Sequence, residues 1–163
     1  TELKSLRREH IQVSQAAPPG AESLAMLKDI QAGRMEIIAK IEMGTASQVG
    51  LRLTSAENDL VLVGYDAKAQ KLFIDRSASG QVDFDPSFGR HCHAAVLHLE
   101  SSSLRLHIFV DAASIEVFGA AGKVVLTDLI FPKGRLNQVE VYALEGEARS
   151  LCVDAWVLGS IWG

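Results

Sequence analysis

The sequence predicts an all-β protein, a two-sheet antiparallel β-sandwich of the jelly-roll or concanavalin-like kind with little helix. The first observation is that apolar and polar residues alternate with period two from residue 35 onward, as they do in strands that bury one face. The second is that these runs are short, about a dozen in number, and separated by turn-forming residues. Short strands at this spacing are typical of an antiparallel sandwich.

Residues 1–34 are the least strand-like part of the chain. We predict that they form a linker or junction segment that packs on a β-sandwich domain of residues 35–163. Within residues 23–33 the apolar positions fit one face of a helix that ends at the glycine, and irregular or strand-like chain is the alternative. The apolar positions concerned are Leu24, Leu27 and Ile30.

The first half of the predicted domain contains five strands. In residues 35–43 apolar residues recur at every second position, which predicts a long half-buried strand. A hairpin loop is predicted at residues 67–70, and a long loop at residues 76–91, where glycine and proline break the pattern. The other predicted strands cover residues 49–53, 60–65, 71–75 and 93–99.

Residues 104–132 contain three apolar runs punctuated by the turn signals Asp-Ala-Ala and Gly-Ala-Ala-Gly, which predicts a meander of consecutive antiparallel strands. In the first two runs the alternation puts aliphatic side chains on one face and a mixed set on the other. The third run, residues 124–127, is apolar at successive positions, so we predict a strand that is covered on both faces. The last strands are predicted at residues 138–144 and 151–158.

The meander also carries a family resemblance. Its sequence from I-F-V-D-A-A-S-I-E-V-F-G to L-I-F-P is preceded by D-R-S-A-S-G at residues 75–80 and followed by V-E-V-Y at residues 139–142. In this order the motifs resemble the C-terminal β-sandwich module of glycoside hydrolase family 32, the invertases, inulinases and levanases. The similarity runs from the region of Met35 to the closing Ser-Ile-Trp at residues 160–162.

The resemblance implies a non-catalytic module that stabilises the catalytic β-propeller domain of a parent enzyme acting on fructofuranosides and mediates oligomer contacts, those of a homodimer or a higher oligomer. Retaining hydrolysis requires two carboxyl groups about 5 Å apart, and in the family these lie in propeller motifs that this sequence lacks. We therefore expect no catalytic residue and no cofactor. Asp85, in a Phe-Asp-Pro turn, and Asp111 are interpreted as loop residues, and Glu116 as a side chain on the wetter strand face.

Two alternatives are a fructan-binding carbohydrate module and a stand-alone interaction protein derived from the same fold. Sugars pack on aromatic rings and are oriented by polar groups, although aromatic residues make up only 6% of this chain. The candidate substrate-binding residues are Asp75, Arg76, Tyr65, Tyr142 and Trp156. On a structural interpretation, Asp75 and Arg76 instead tie a strand end to the following turn by charge-assisted hydrogen bonds. Trp156 is then a core residue and Trp162 a terminal packing residue.

A metal site is a further hypothesis. Alternate residues on a strand point the same way, so His91 and His93 could share a zinc or nickel ion, with His98 as a third candidate ligand. The family resemblance implies no metal, and a pair of histidines does not by itself define a site. We therefore expect that the chain holds no metal.

Length and charge exclude several classes of function. A chain of 163 residues fits one domain. Its net charge of −4 is interspersed, so it lacks the basic surface that a nucleic acid requires. No apolar run approaches the roughly 18 residues of a membrane span, and two cysteines are too few for a disulfide framework. We expect a soluble protein without nucleic-acid or membrane partners.

Hydrophobic residues make up 48% of the chain, so much apolar surface has to be covered. We expect that the isolated chain self-associates, or that residues 1–34 cover the face on which a partner domain would pack. The N-terminus has neither an initiating Met nor an apolar signal segment, which fits a processed start or an excised fragment. The compartment is left open, cytoplasmic or secreted according to the parent enzyme.

Overall fold

The computed structural model describes residues 2–18, 20–28, 30, 33–90 and 92–159. Within these residues the chain forms one helical turn followed by β-strands that alternate with short turns. The helix is α1 (Glu2–Ser5), and the strands are β1 (Arg7–Ala16), β2 (Ser23–Leu27), β3 (Met35–Glu42), β4 (Gln48–Thr54), β5 (Leu60–Asp66), β6 (Lys71–Ala78), β7 (His93–Val96), β8 (Ser103–Val110), β9 (Ser114–Gly119), β10 (Val124–Leu129), β11 (Gln138–Leu144) and β12 (Ser150–Leu158).

The strands form two six-stranded sheets. Sheet A has the order β1-β12-β3-β8-β9-β10, and sheet B has the order β2-β11-β4-β5-β6-β7. Every neighbouring pair is antiparallel. The prediction of a two-sheet antiparallel β-sandwich is therefore confirmed. In the described part of the chain, no helix has the length and apolar character to cross a membrane.

The core lies between the sheets and follows the period-two pattern. In β3 the inward residues Ile37 and Ile41 are fully buried, and they pair across β8 with Ile108 and Leu104, which are also fully buried. Burying a side chain of this size contributes about 1.5–3 kcal/mol relative to leaving it in water. Sheet B supplies the facing layer, with Val49, Leu51, Leu53, Val61, Val63, Leu72, Ile74, Val139 and Val141 at 0% exposure.

Residues 1–34 contribute one edge strand to each sheet. The ten-residue β1 pairs with β12 along most of its length, and the five-residue β2 pairs with β11. The prediction that this segment is the least strand-like part is therefore wrong. The period-two alternation of β1 is hard to recognise in the sequence because its outward positions are polar and its inward apolar residues, Ile11 and Val13, are few. Of the two interpretations of residues 23–33, the structure shows a strand at Ser23–Leu27, and residues 29, 31 and 32 lie outside the described residues.

The far edges of the two sheets, β10 and β7, differ most from the sequence prediction. β10 was predicted to be covered on both faces, but Val125 is 50% exposed and Leu129 is 55% exposed. That prediction is wrong because β10 is the last strand of sheet A and its outward face meets solvent. The predicted strand of residues 93–99 ends at Val96, and β6 continues three residues beyond the predicted end, to Ala78.

Candidate functional site

The outward face of sheet A carries a buried carboxylate near the start of β3. Glu36 is 2% exposed although its side chain points away from the core. Arg7 donates from Nε to Oε2 at 2.8 Å and from Nη2 to Oε1 at 2.6 Å, which is a bidentate pair. The His107 Nε2 lies 2.8 Å from Oε1. Three strands, β1, β3 and β8, thus converge on one carboxylate.

The surroundings of Glu36 keep this carboxyl ionised. Burial alone would raise its pKa, but the hydrogen bonds from Arg7 and His107 outweigh burial and hold the pKa below its ordinary value. The same hydrogen bond raises the pKa of Arg7. A general acid needs a raised pKa so that it carries a proton at working pH. Glu36 is therefore suited to anchoring its neighbours rather than to donating a proton.

Trp156 covers one side of this ion pair. Its ring stacks on the His10 ring, with centroids 4.8 Å apart and planes 5° apart, and the Arg7 guanidinium lies 3.7 Å from its centroid. The interpretation of Trp156 as a core residue is wrong. The inward positions of β12 are the buried residues Val153 and Ala155, and the alternation of the strand therefore turns Trp156 outward.

Two phenylalanines continue the same surface across β8 and β9. The Phe109 ring lies 4.6 Å from His107, and Phe118 lies 6.1 Å from both. We call Trp156, His107, Phe109 and Phe118 the aromatic face of sheet A. The period-two pattern already put both phenylalanines opposite the aliphatic face, but sequence reasoning did not connect them with Trp156, because strand order decides which residues become neighbours.

Two adjoining cavities lie on this side of the molecule, at the turn between β9 and β10. The larger, of about 330 Å³, is lined by Ile38, Arg105, His107 and Phe118 together with the turn. The smaller, of about 180 Å³, lies towards His98, Glu100 and Lys123. Arg105 and Ala121 line both cavities, so the two form one groove. We call it the sheet A groove.

A third cavity lies at the end of the sandwich where α1 leads into β1. It has a volume of about 540 Å³, and Arg34, Leu158 and Arg135 are among its lining residues. Gly159 donates to the Leu6 carbonyl at 2.8 Å and Leu158 to that of Arg34 at 3.1 Å, so the N-terminal segment runs beside this cavity. We call it the terminal cleft.

Asp75 and Arg76 lie on β6, at the side of the sandwich where β6 and the edge strand β7 approach β10. We call this side the open edge; Trp156 lies away from it. Asp75 Oδ1 accepts a hydrogen bond from the Ser77 backbone at 2.9 Å. Arg76 donates from Nη1 to the Leu129 carbonyl at 2.8 Å and stacks 3.9 Å over the Phe88 ring. These contacts join β6, the following loop and β10, as the structural interpretation of the pair requires. A sugar-binding role for the pair stays a prediction.

The two tyrosines are buried in separate places. Tyr65 points between the sheets and donates to the Leu97 carbonyl at 3.0 Å. Tyr142 is 1% exposed on the outward side of sheet B, where it accepts a hydrogen bond from Gln48 at 2.9 Å and lies under Arg52. The structure thus does not bring the five candidate residues together, and among them only Trp156 belongs to the aromatic face.

In the described part of the chain, two of the histidines proposed as metal ligands, His93 and His98, have other side chains as partners. The His93 Nδ1 lies 3.0 Å from the buried Asp128, linking β7 to β10 across the sandwich edge, and the His98 Nδ1 lies 2.8 Å from Gln70. His91 lies outside the described residues. No group of three His, Cys, Asp or Glu residues that could hold a metal occurs among the described residues.

Comparison with known proteins identifies the family to which this chain is similar. Residues 2–157 match the family "Glycosyl hydrolases family 32 C terminal". A levanase of Bacillus sp. (strain L7) is 38% identical over 164 aligned residues, which is 99% of this chain and 18% of the levanase. An extracellular exo-inulinase of Aspergillus niger is 35% identical over 114 residues, which is 70% of this chain and 21% of that protein.

The fold agrees with that of a solved relative. The crystal structure of an exo-inulinase from Aspergillus awamori superposes with a TM-score of 0.82 and 26% identity, over 98% of this chain and 31% of the exo-inulinase. The chain spans about a fifth of the length of the curated relatives it matches. The chain belongs to the family of C-terminal β-sandwich domains of glycosyl hydrolases family 32.

Proposed function

We propose that this chain is the non-catalytic C-terminal sandwich of a fructan- or sucrose-hydrolysing enzyme and that it stabilises the catalytic domain. The observation that carries the proposal is the match of 99% of the chain to 18% of a levanase, and of 70% of the chain to 21% of an exo-inulinase. Among the described residues, the chemistry of the most buried carboxylate supports it, because the pKa of Glu36 is lowered where an acid catalyst would need it raised.

The terminal cleft is the surface that best suits the catalytic domain. The chain enters β1 beside the cleft, because the Leu6 carbonyl accepts from Gly159, next to the cleft residue Leu158, and we infer that a domain joined ahead of α1 lies on this side. The cleft combines apolar side chains such as Leu136 with the cations Lys133 and Arg135. We infer that it receives a loop of the catalytic domain that bears apolar and acidic side chains. An interdomain interface of about 600–1,500 Å² is usual for such an arrangement.

A domain exchange tests this role. In the levanase of Bacillus subtilis (strain 168), which is 38% identical to this chain over 124 residues, the matching C-terminal region is replaced by residues 1–163. We expect that the fusion hydrolyses levan and that its midpoint of thermal inactivation lies about 5 °C or more above that of the truncated levanase. We expect no release of fructose from levan, inulin or sucrose by the 163-residue chain alone.

Charge reversal provides the matched control for the exchange. Arg135→Glu, in the cleft, should lower the inactivation midpoint of the fusion while leaving the unfolding of the isolated chain unchanged. Arg90→Glu, an exposed arginine of the loop after β6 that does not line the cleft, should change neither. A fusion no more stable than the truncated levanase, or fructose release by the chain alone, would contradict the proposal.

A second copy of the chain is the further partner that we propose, at the open edge of the sandwich. Edge strands with exposed apolar residues favour association, and here Leu129 on the edge strand β10 is 55% exposed and Phe84, on the loop after β6, is 63% exposed. We expect light scattering to give a mass above the 17.6 kDa of one chain, and Leu129→Glu to restore the single-chain mass. Met26→Glu, on the opposite edge strand β2, should have no effect. A single-chain mass at all concentrations would exclude this contact.

A further inference from the structure

We propose that the sheet A groove is a secondary binding site for a short β-fructofuranosyl oligosaccharide, separate from any catalytic centre. The shape and donor set of the groove define the ligand as a small, neutral, hydroxyl-rich molecule. That this molecule is a fructan segment rests on the function proposed above. The residues that carry the site are Phe118, Ile38, His107 and Arg105, none of which sequence reasoning selected for sugar binding.

The groove has an apolar floor built by strand register. Ile38, His107 and Phe118 stand side by side across β3, β8 and β9, and Val125 extends the row on β10. Phe118 is held edge-on by Phe109, with the planes 88° apart. A ring fixed in this way offers a preformed surface for the C–H face of a furanose, and pockets of about 300 Å³ already suit small ligands.

His107 supplies a polar group with a defined direction. Its Nε2 is used by the carboxylate of Glu36 at 2.8 Å, and Glu36 is itself held by Arg7. An ionised carboxylate accepts hydrogen bonds, so Nε2 is the donor in this contact, and Nδ1 is the ring nitrogen left for a ligand. A sugar hydroxyl can both donate and accept a hydrogen bond, so it can pair with that atom. Glu36 is then a positioning residue for the site.

Arg105 supplies the donors on the other side. It is exposed, lines both halves of the groove, and forms no ion pair within the described residues. A guanidinium presents five N–H donors in a fixed fork, which suits two neighbouring hydroxyl oxygens. At the far end, Lys123 is paired with Glu100. Because Glu100 neutralises that lysine, the unpaired charge among the described residues of the groove is that of Arg105, whose N–H groups donate to neutral hydroxyl oxygens as well as to anions; competition with phosphate separates the two classes of ligand.

The turn that walls the groove is strained. Ala120 and Ala121 have φ values of 50° and 59°, and Gly122 follows at 88°. Left-handed alanines are unfavourable because Cβ crowds the backbone, and such strain clusters at ligand sites in proteins. Ala121 lines both cavities, so the strained turn fixes the wall of the groove opposite Phe118.

Titration of the 163-residue chain with nystose, a short inulin-type oligosaccharide, tests the site. We expect saturable calorimetric binding with a Kd of about 1 mM, and changes in the amide signals of Ala121 and Gly122. Arg105→Gln and Phe118→Ala should each weaken binding about ten-fold. The matched controls Arg90→Gln and Phe84→Ala, on the loop after β6, should bind as the unsubstituted chain does.

Three results would overturn the proposal: absence of saturable binding, equal affinity for maltotetraose, or displacement of nystose by inorganic phosphate, which would make the groove an anion site. Circular dichroism and thermal unfolding of each variant establish that a loss of binding is not a loss of fold. The stabilising role is measured separately, on the levanase fusion. A failed titration beside a stable fusion therefore rejects the groove alone, and an unstable fusion rejects the accessory function alone.

Discussion

Glu36→Gln is expected to lower the free energy of unfolding at about pH 7 by about 2–4 kcal/mol, because it removes the negative charge that a buried ion pair needs and leaves Arg7 without its counter-charge. The carboxylate is 2% exposed and receives a bidentate arginine and a histidine. Glutamine keeps the shape and one acceptor oxygen but not the charge. Arg7 is one-fifth exposed and can still reach water, which places the loss below that of a fully enclosed pair.

The loss of stability caused by Glu36→Gln should become smaller as the pH falls. The pKa of folded Glu36 lies below its ordinary value of 4.5, so the folded state binds this proton less readily than the unfolded chain. The contribution to stability is therefore complete above about pH 5 and is lost as the pH falls through the folded pKa. Urea unfolding of both proteins between about pH 7 and pH 3 should give curves that converge towards the acid end.

Glu116→Gln is the matched control for this experiment. Glu116 stands on the same face of sheet A but is exposed, and its substitution should change stability by no more than about 0.5 kcal/mol. Other carboxyl groups with lowered pKa values, such as Glu42 and Glu145, are present in all three proteins and cancel in the comparison. A constant difference between wild type and Glu36→Gln from neutral to acid pH would show that the charge of Glu36 is not the stabilising feature.

Gly50→Ala is expected to cost about 3 kcal/mol or more, or to prevent folding. Gly50 pairs with Gly64 in the middle of sheet B. A Cβ on Gly50 would lie 2.7 Å from the Gly64 Cα and closer still to the Val63 carbonyl oxygen. Both are backbone atoms, so β4 and β5 would have to separate where the ladder is continuous. Equilibrium unfolding in urea measures the loss.

Gly64→Ala keeps the test informative if the first variant does not fold. Its Cβ would lie 2.6 Å from the Phe73 ring and 2.6 Å from the Tyr142 hydroxyl, which are side chains and can shift, so we expect a smaller loss of about 1–3 kcal/mol. Among the described residues, the Cβ of Gly33→Ala meets only Arg135 Cγ, at 3.7 Å, and this substitution should be close to neutral. Equal stability of the Gly50 and Gly33 variants would refute the account of the glycine pair.

Much of the fold could be predicted because strand period is a local signal. Alternation in residues 35–43 and 104–118 identified β3, β8 and β9 and the side chains that they bury, and Gly-Ala-Ala-Gly located the turn before β10. The signal failed where packing overrides it. β1 has polar outward residues and few inward apolar ones, Ile11 and Val13, so its pairing with β12 leaves little trace in the sequence.

The candidate site could be predicted much less well. Tyr65, Tyr142 and Asp75 were selected for their chemistry, but the two tyrosine rings are enclosed and Asp75 caps a turn. Phe118 and Arg105 were passed over because a single phenylalanine and a single arginine carry no motif. They contribute to the proposed site because they lie beside Ile38 and His107 in sheet A, and strand order and register decide that arrangement.

By itself, the sequence determined the fold class, most of the strands, the residues that form the core and the family resemblance that the comparison confirmed. Only the tertiary structure decided what lies next to what on the surfaces. Glu36 meets Arg7 from 29 residues away and His107 from 71 residues away. The physical reason is that the period of a strand fixes which way a side chain points, whereas strand order and register, which depend on packing of the whole core, fix its neighbours.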